Sequence, residues 1–331
     1  MRVRAIGFGE NTSAFNHWVY LLVKTTGAAL KALFALVLFV GLPAISVAQQ
    51  EQQTTLAYHP HLANPAYGLN GPVVAIDEAH SNFHTLGGRY APFGALASAD
   101  GYRVERSTVP FSPESLRGID VLVIANALPP KRNMPAFSPD EIEAVKQWVA
   151  AGSSLLLIAD HAPFGTAAAP LAAAFGVEMG RGFVVATQNG QATANIRYSG
   201  KDLGIHPIIN GRYPKEHIRA VTAFTGQSLA GPPSATSILI IPAGALEVEH
   251  DSDIDSLARG GSAPAQKAGG RSQLLALPFG KGRLVVSGEA AMFTAQRLGR
   301  NPVRSMDMGL MVDDDRQFAL NVLHWLSRLV G

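Results

Sequence analysis

One run constrains this chain more than any other: Ser153-Ser154-Leu155-Leu156-Leu157-Ile158-Ala159-Asp160-His161-Ala162-Pro163-Phe164. Four consecutive large apolar residues behind the Gly152 turn read as a strand buried on both faces. The run then turns abruptly polar at Asp160 and His161, and Pro163 stops it from continuing. Strands of this kind belong to parallel sheets covered by helices, and such sheets bind ligands at the carboxyl ends of their strands. An acid and an imidazole at that end are the first pointer to a site.

The neighbouring elements fit the same sheet. Val73-Val74-Ala75-Ile76 reads as a first buried strand, ending in Asp77-Glu78-Ala79-His80-Ser81-Asn82-Phe83-His84. A helix is expected from about Arg89 to Ala99, then a more polar strand over 102–108 near a sheet edge. Val121-Leu122-Val123-Ile124-Ala125 is a third buried strand. Ser138, Pro139 and Glu141 announce a helix with a capping box, whose apolar stripe is Ile142, Val145, Trp148 and Val149. This β-α-β alternation predicts a doubly wound, mostly parallel sheet with helices on both faces. Later, 273–277 and 283–287 read as strands joined through Gly280-Lys281-Gly282, the second ending in Ser287-Gly288-Glu289. Between them and the middle of the chain, 247–272 is acidic, then rich in Gly, Ser and Ala, and reads as a surface loop. Asp313-Asp314-Asp315 opens the last helix, where acids favour the positive helix end.

The first 48 residues read as a secretory signal rather than as fold. Arg2, Arg4, Lys24 and Lys31 precede an apolar run from Ala32 to Leu42, and Ser46-Val47-Ala48 offers a cleavage site. The run is shorter than the roughly 20 residues a membrane span needs. The expectation is a periplasmic or secreted protein with no stable membrane span after cleavage, and an uncleaved anchor is the alternative. The leader holds four of the 27 basic residues and one of the 25 acidic ones, Glu10. The remainder is close to neutral and has no basic stripe for nucleic acid. The chain has no Cys, which excludes disulfides, thiolate metal sites and a Cys nucleophile. Residues 49–71 read as a polar linker, and 72–331 as one α/β domain.

Three strand ends therefore carry the candidate chemistry. The first supplies Asp77, His80, Asn82 and His84, the second Asp160 and His161, and the third Glu289, provided the late strand runs parallel to the others. One reading is a divalent metal held by His80, His84 and His161, with Asp160 or Glu289 as carboxylate. A second is metal-free acid–base work, with His161 as base and Asp160 or Glu289 orienting it. A third is a network of hydrogen bonds that orients the loops, since polar strand ends need partners in any case. No Gly-x-Ser-x-Gly elbow is present.

The order of these elements resembles the class I glutamine amidotransferase-like superfamily, over roughly Gly71 to Gly331. The carriers are Asp120 to Ala125, the capped helix, Ser154 to His161, and Gly282-Arg283-Leu284-Val285-Val286-Ser287-Gly288-Glu289. Asp77-Glu78-Ala79-His80 and the run from Trp148 to Leu157 are similar to a bacterial branch of unknown function, related to gliding-motility transporter domains and to an intraflagellar-transport subunit. The resemblance implies a flavodoxin-like fold. It also implies a Cys in the turn after Ile158 and a His-x-Glu pair near the late strand. Here the turn holds Asp160 and His161, and the pair is reduced to Glu289. A thiol glutaminase is thereby excluded, and the branch implies a non-catalytic module for a small polar ligand or an envelope protein. A hydrolase built on Asp160, His161 and Glu289 is the alternative.

Overall fold

The computed structural model describes residues 52–331 apart from 56, 69, 132–133 and 300–304. The expected leader, 1–48, lies outside the described residues. The first part of the chain forms β1 (Gln52–Thr54), β2 (Val73–Asp77), α1 (Ala91–Ala99), β3 (Arg103–Ser107), β4 (Val121–Ala125), α2 (Pro139–Ala151), β5 (Ser154–Ile158) and α3 (Phe164–Ala173). The middle forms β6 (Glu178–Met179), β7 (Phe183–Gln188), β8 (Gln191–Thr193), β9 (Asn195–Ser199), α4 (Pro207–Asn210), β10 (Ala220–Phe224), β11 (Leu229–Ala230), β12 (Thr236–Ile240), β13 (Leu246–Val248), α5 (Asp251–Ala258) and β14 (Ala265–Lys267). The last part forms β15 (Ser272–Phe279), β16 (Gly282–Ser287), β17 (Ala295–Leu298), β18 (Met306–Gly309) and α6 (Asp315–Leu326).

The architecture is mixed α/β around one large sheet, in the order β3-β2-β4-β5-β16-β15-β11-β6, with β12 also on β15. β2 runs parallel to β3 and β4, β4 to β5, and β5 to β16. β15 returns antiparallel to β16 through the expected hairpin. The parallel course of β16 brings Glu289 to the same sheet edge as Asp77 and Asp160.

Side chains alternate between two cores, as the period of two requires. Val74, Ile76, Val121, Val123, Leu156 and Ile158 face one core, completed by Phe93 and Leu96 of α1 and Phe318 and Val322 of α6. Ala75, Leu122, Ile124, Leu155 and Leu157 face the other, completed by Val145 and Val149 of α2 and Leu171 of α3. Every residue of β2, β4 and β5 is buried, which explains why these strands read as unbroken apolar runs. β3, the polar strand, sits at the sheet edge, where its exposed Arg103, Glu105 and Arg106 discourage pairing with another chain.

Three segments differ from expectation. Residues read as linker include β1, which pairs antiparallel with β17, and Tyr58, Leu62 and Tyr67 pack against the first core. The surface loop 247–272 contains α5 and β14, and β14 pairs with β13. Its Gly- and Ala-rich sequence hides a strand because a short exposed strand needs no apolar alternation. The aspartate triplet does more than complement a helix dipole. β10 pairs with β9 alone, so one row of its amides faces away from any strand. Asp314 accepts from the Arg219 and Ala220 amides at 2.7 and 3.2 Å, and Asp315 accepts from the Thr222 amide at 2.9 Å. Asp313, with φ of 41°, takes the Arg197 guanidinium at 3.0 Å and the Thr222 hydroxyl at 2.6 Å. Carboxylates thus replace the missing strand, because buried amides need acceptors from some source.

Candidate functional site

The strand ends form two polar networks rather than one. In the first, Asp77 closes β2 fully buried and accepts from the Ala79 amide at 3.1 Å, the Asn82 amide group at 3.0 Å and His80 Nδ1 at 2.9 Å. Asn82 in turn accepts from the His80 backbone amide at 3.1 Å, so residues 77–82 fold back on their own carboxylate. The other imidazole nitrogen, Nε2, lies 2.7 Å from Glu141 Oε1. Glu141 is the capping-box residue of α2: its Oε2 accepts from the Ser138 amide and hydroxyl, while Oε1 also accepts from the Phe111 amide. Phe111 and Phe137 flank the His80 ring at 4.6 and 4.7 Å between centroids.

Two carboxylates on one imidazole decide its charge. Burial disfavours the imidazolium, but the hydrogen bonds and charges of Asp77 and Glu141 outweigh it and hold the His80 pKa above its ordinary value. Burial likewise pushes Glu141 up, and the Ser138 amide and His80 more than reverse it, leaving its carboxyl below the usual range. The site is therefore an imidazole held between two carboxyl groups that favour its charged form, with both ring nitrogens occupied.

The second network joins β4, β5 and β16. Asn126, directly after β4 and at φ of 49°, donates its amide to Asp160 Oδ2 at 2.9 Å and accepts from the Asp160 backbone amide at 2.9 Å. The other oxygen, Asp160 Oδ1, accepts from the Ala290 amide at 3.1 Å. Glu289 is fully buried beside it, accepting from the Ala291 amide at 2.6 Å and the Met292 amide at 2.8 Å. Burial and the nearby Asp160 raise the Glu289 pKa well above the ordinary carboxyl value, against the pull of those backbone amides. His84 packs between Phe83 and Tyr90, at 5.3 and 4.9 Å, with Nδ1 buried and unpartnered. Burial lowers its pKa to about 4, so it is neutral at physiological pH.

His161 belongs to neither network. Its Nδ1 lies 2.9 Å from the Ala162 carbonyl, and its ring stacks on Phe183 at 4.1 Å. Among the described residues no hydrogen bond joins His161 to Asp160 or Glu289, so the orienting contact of an acid–base pair is not formed. Nor do three His, Asp or Glu side chains among the described residues gather so as to hold a metal ion. His80, His84 and His161 do not assemble into one, because His80 already spends both nitrogens on Asp77 and Glu141.

Three contributors escaped the sequence reading. Asn126 had a signal, since it follows an apolar strand as Asp160 does. Glu141 read only as a cap. Gln227 had no signal at all: its amide donates to the Ala159 and Asp160 carbonyls at 2.7 and 3.0 Å, beneath the polar turn. Gln227 reaches this place because 226–227 crosses 288–289 backbone to backbone, with the Gln227 amide donating to the Gly288 carbonyl at 2.9 Å. Thr225, just before the crossing, has φ of 127°, a strained value for a β-branched residue.

No family model matches the chain, and no curated protein does. Solved structures do. The mmIFT52 N-terminal domain is 15% identical, with a TM-score of 0.53, over 78% of this chain and 98% of that one. The cytoplasmic protein STM1381 from Salmonella typhimurium LT2 is 14% identical, with a TM-score of 0.45, over 77% and 99%. A thua-like protein from Parabacteroides merdae ATCC 43184 is 10% identical, with a TM-score of 0.44, over 78% and 90%. At such identities the likeness is one of fold, and it is the first of these structures that carries it: the chain shares its fold with the mmIFT52 N-terminal domain.

Proposed function

We propose that this chain is an exported, non-catalytic binding module of glutamine amidotransferase-like descent, taking a small polar ligand or an envelope protein at its strand ends. The observation that carries the reading is the self-sufficiency of the site. Asp77, Glu141, Asp160 and Glu289 each have both carboxyl oxygens engaged by the protein's own groups, and His80 has both ring nitrogens engaged. Groups held this way shape loops; a general base needs a nitrogen or oxygen aimed at substrate. The parallel strands, numbered among themselves along the chain, follow the order 2-1-3-4-5, which favours the flavodoxin-like, doubly wound reading. Export, to the periplasm or beyond, rests on the leader, and the mass of the mature chain tests it: cleavage is expected after Ala48. Among the described residues no helix is long and apolar enough to cross a membrane.

The hydrolase reading has one feature on its side: burial and the adjacent Asp160 push the Glu289 pKa well above its ordinary value, as in acid and base pairs. Full burial keeps Glu289 from any substrate. The two readings separate in a panel of chromogenic ester, amide, glycoside and phosphate substrates. No turnover is expected from the wild type above that of a His161→Ala, Asp160→Asn double variant. A wild-type rate that falls about a hundredfold or more in either single variant would establish the hydrolase instead.

A further inference from the structure

The seam between β10 and the aspartate triplet is built from groups that titrate. Along it the Arg219, Ala220 and Thr222 amides rest on Asp314 and Asp315, and the Phe224 amide hydrogen-bonds Glu289. Asp315 is fully buried, and its second oxygen, Oδ2, has no partner. A neutral carboxyl tolerates that position, whereas a carboxylate there lacks solvation on one oxygen. The charged groups acting on Asp315 are Asp313 and Asp314 from its own triplet and Glu289 from the β16 end, all acids. Asp160, from the β5 end, acts in turn on Glu289. From β9, Tyr198 faces Glu289, and Arg197 is drawn outward to Asp313 at a partly exposed ion pair. β10 itself offers no titratable side chain.

We propose that Asp315 is a proton-controlled latch: its neutral carboxyl closes the seam along β10, and its ionisation loosens that seam and, with it, the Asp160–His161 turn. The mechanical link is short. β10 runs into Thr225 and Gly226, and then into Gln227, whose side-chain amide holds the Ala159 and Asp160 carbonyls. Ionised, Asp315 would carry charge on an Oδ2 that has no donor, beside the acids of its own triplet, and the water admitted to solvate that oxygen parts the seam. Burial and these acids hold the Asp315 pKa well above its ordinary value, which agrees with the geometry. The sign follows: the latch is closed at lower pH and opens as pH rises through the folded value. The latch operates whether the strand ends bind or catalyse, so it stands apart from the functional reading above.

Amide exchange followed by NMR tests it, with each rate corrected for its intrinsic pH dependence. Between about pH 5 and about pH 8, protection at Thr222 and at the Gln227-supported turn is expected to fall about tenfold or more in the wild type. In Asp315→Asn, which keeps an acceptor for the Thr222 amide and cannot ionise, protection is expected to stay level. Wild-type protection that does not change with pH overturns the proposal, even if Asp315→Asn fails to fold. An equal loss in Asp315→Asn overturns it as well.

Discussion

His80→Ala is expected to destabilise the fold by about 3–5 kcal/mol, the range for breaking a buried ion pair from one side. The residue removed bridges Asp77, which is fully buried, and Glu141, and both favour its charged form. Asp77 keeps the Ala79 and Asn82 donors, yet loses the only charge opposite it in that network. The ring also leaves a gap between Phe111 and Phe137. The effect depends on pH in a stated direction. The folded pKa of His80 lies above its unfolded value, so the clamp contributes fully below about pH 6.5 and fades as pH rises through the folded value. Urea unfolding of wild type and variant across that window measures both statements. A loss under about 1 kcal/mol, or a difference that grows as pH rises, would show that His80 is a neutral bystander.

Gly226→Ala is the second large effect, expected at about 3 kcal/mol or more from strain and overpacking together. Gly226 has φ of 119°, and a Cβ on it would lie 2.3 Å from the Gly288 carbonyl oxygen and 2.9 Å from the Glu289 Cβ. Neither neighbour can give way, because one is backbone and the other belongs to the buried acid beside Asp160. Gly118→Ala supplies the contrast. Gly118 has φ of 82° with nothing within 4 Å of a Cβ, so backbone strain alone applies, about 1 kcal/mol. Thermal or urea unfolding of the two variants should separate them by at least that margin. If they cost the same, the crossing of 226–227 over 288–289 is not the tight contact described above.

How much of this was legible in the sequence depends on how each residue makes its contacts. The strands β2, β4, β5 and β16 were legible because burial on both faces writes itself as an apolar run. The strands β6 and β11 were not, since two residues carry no period. Asp77, His80 and Asn82 were legible together because a fold-back of six residues keeps its partners adjacent in the chain. Glu141 could be read for one of its oxygens, the one that caps α2. Its other oxygen reaches a histidine 61 residues earlier, and nothing local to Ser138-Pro139 signals that reach. Gln227 lies 67 residues from the carbonyl it holds. Asp160 and His161 are neighbours in sequence, but adjacent residues at a strand end point to different sides, and they serve different surroundings.

The pairing of β1 with β17 bears on the proposed cleavage after Ala48. A chain cut after Ala48 begins only residues 49–51 before β1, a tether of about 10 Å at full stretch. A peptidase working at that bond has little slack between its own surface and the folded body. If the proposed cleavage takes place, reach sets its order: the bond would be most accessible before Gln52–Thr54 docks beside β17, so cutting first and docking afterwards is the sequence that the pairing favours.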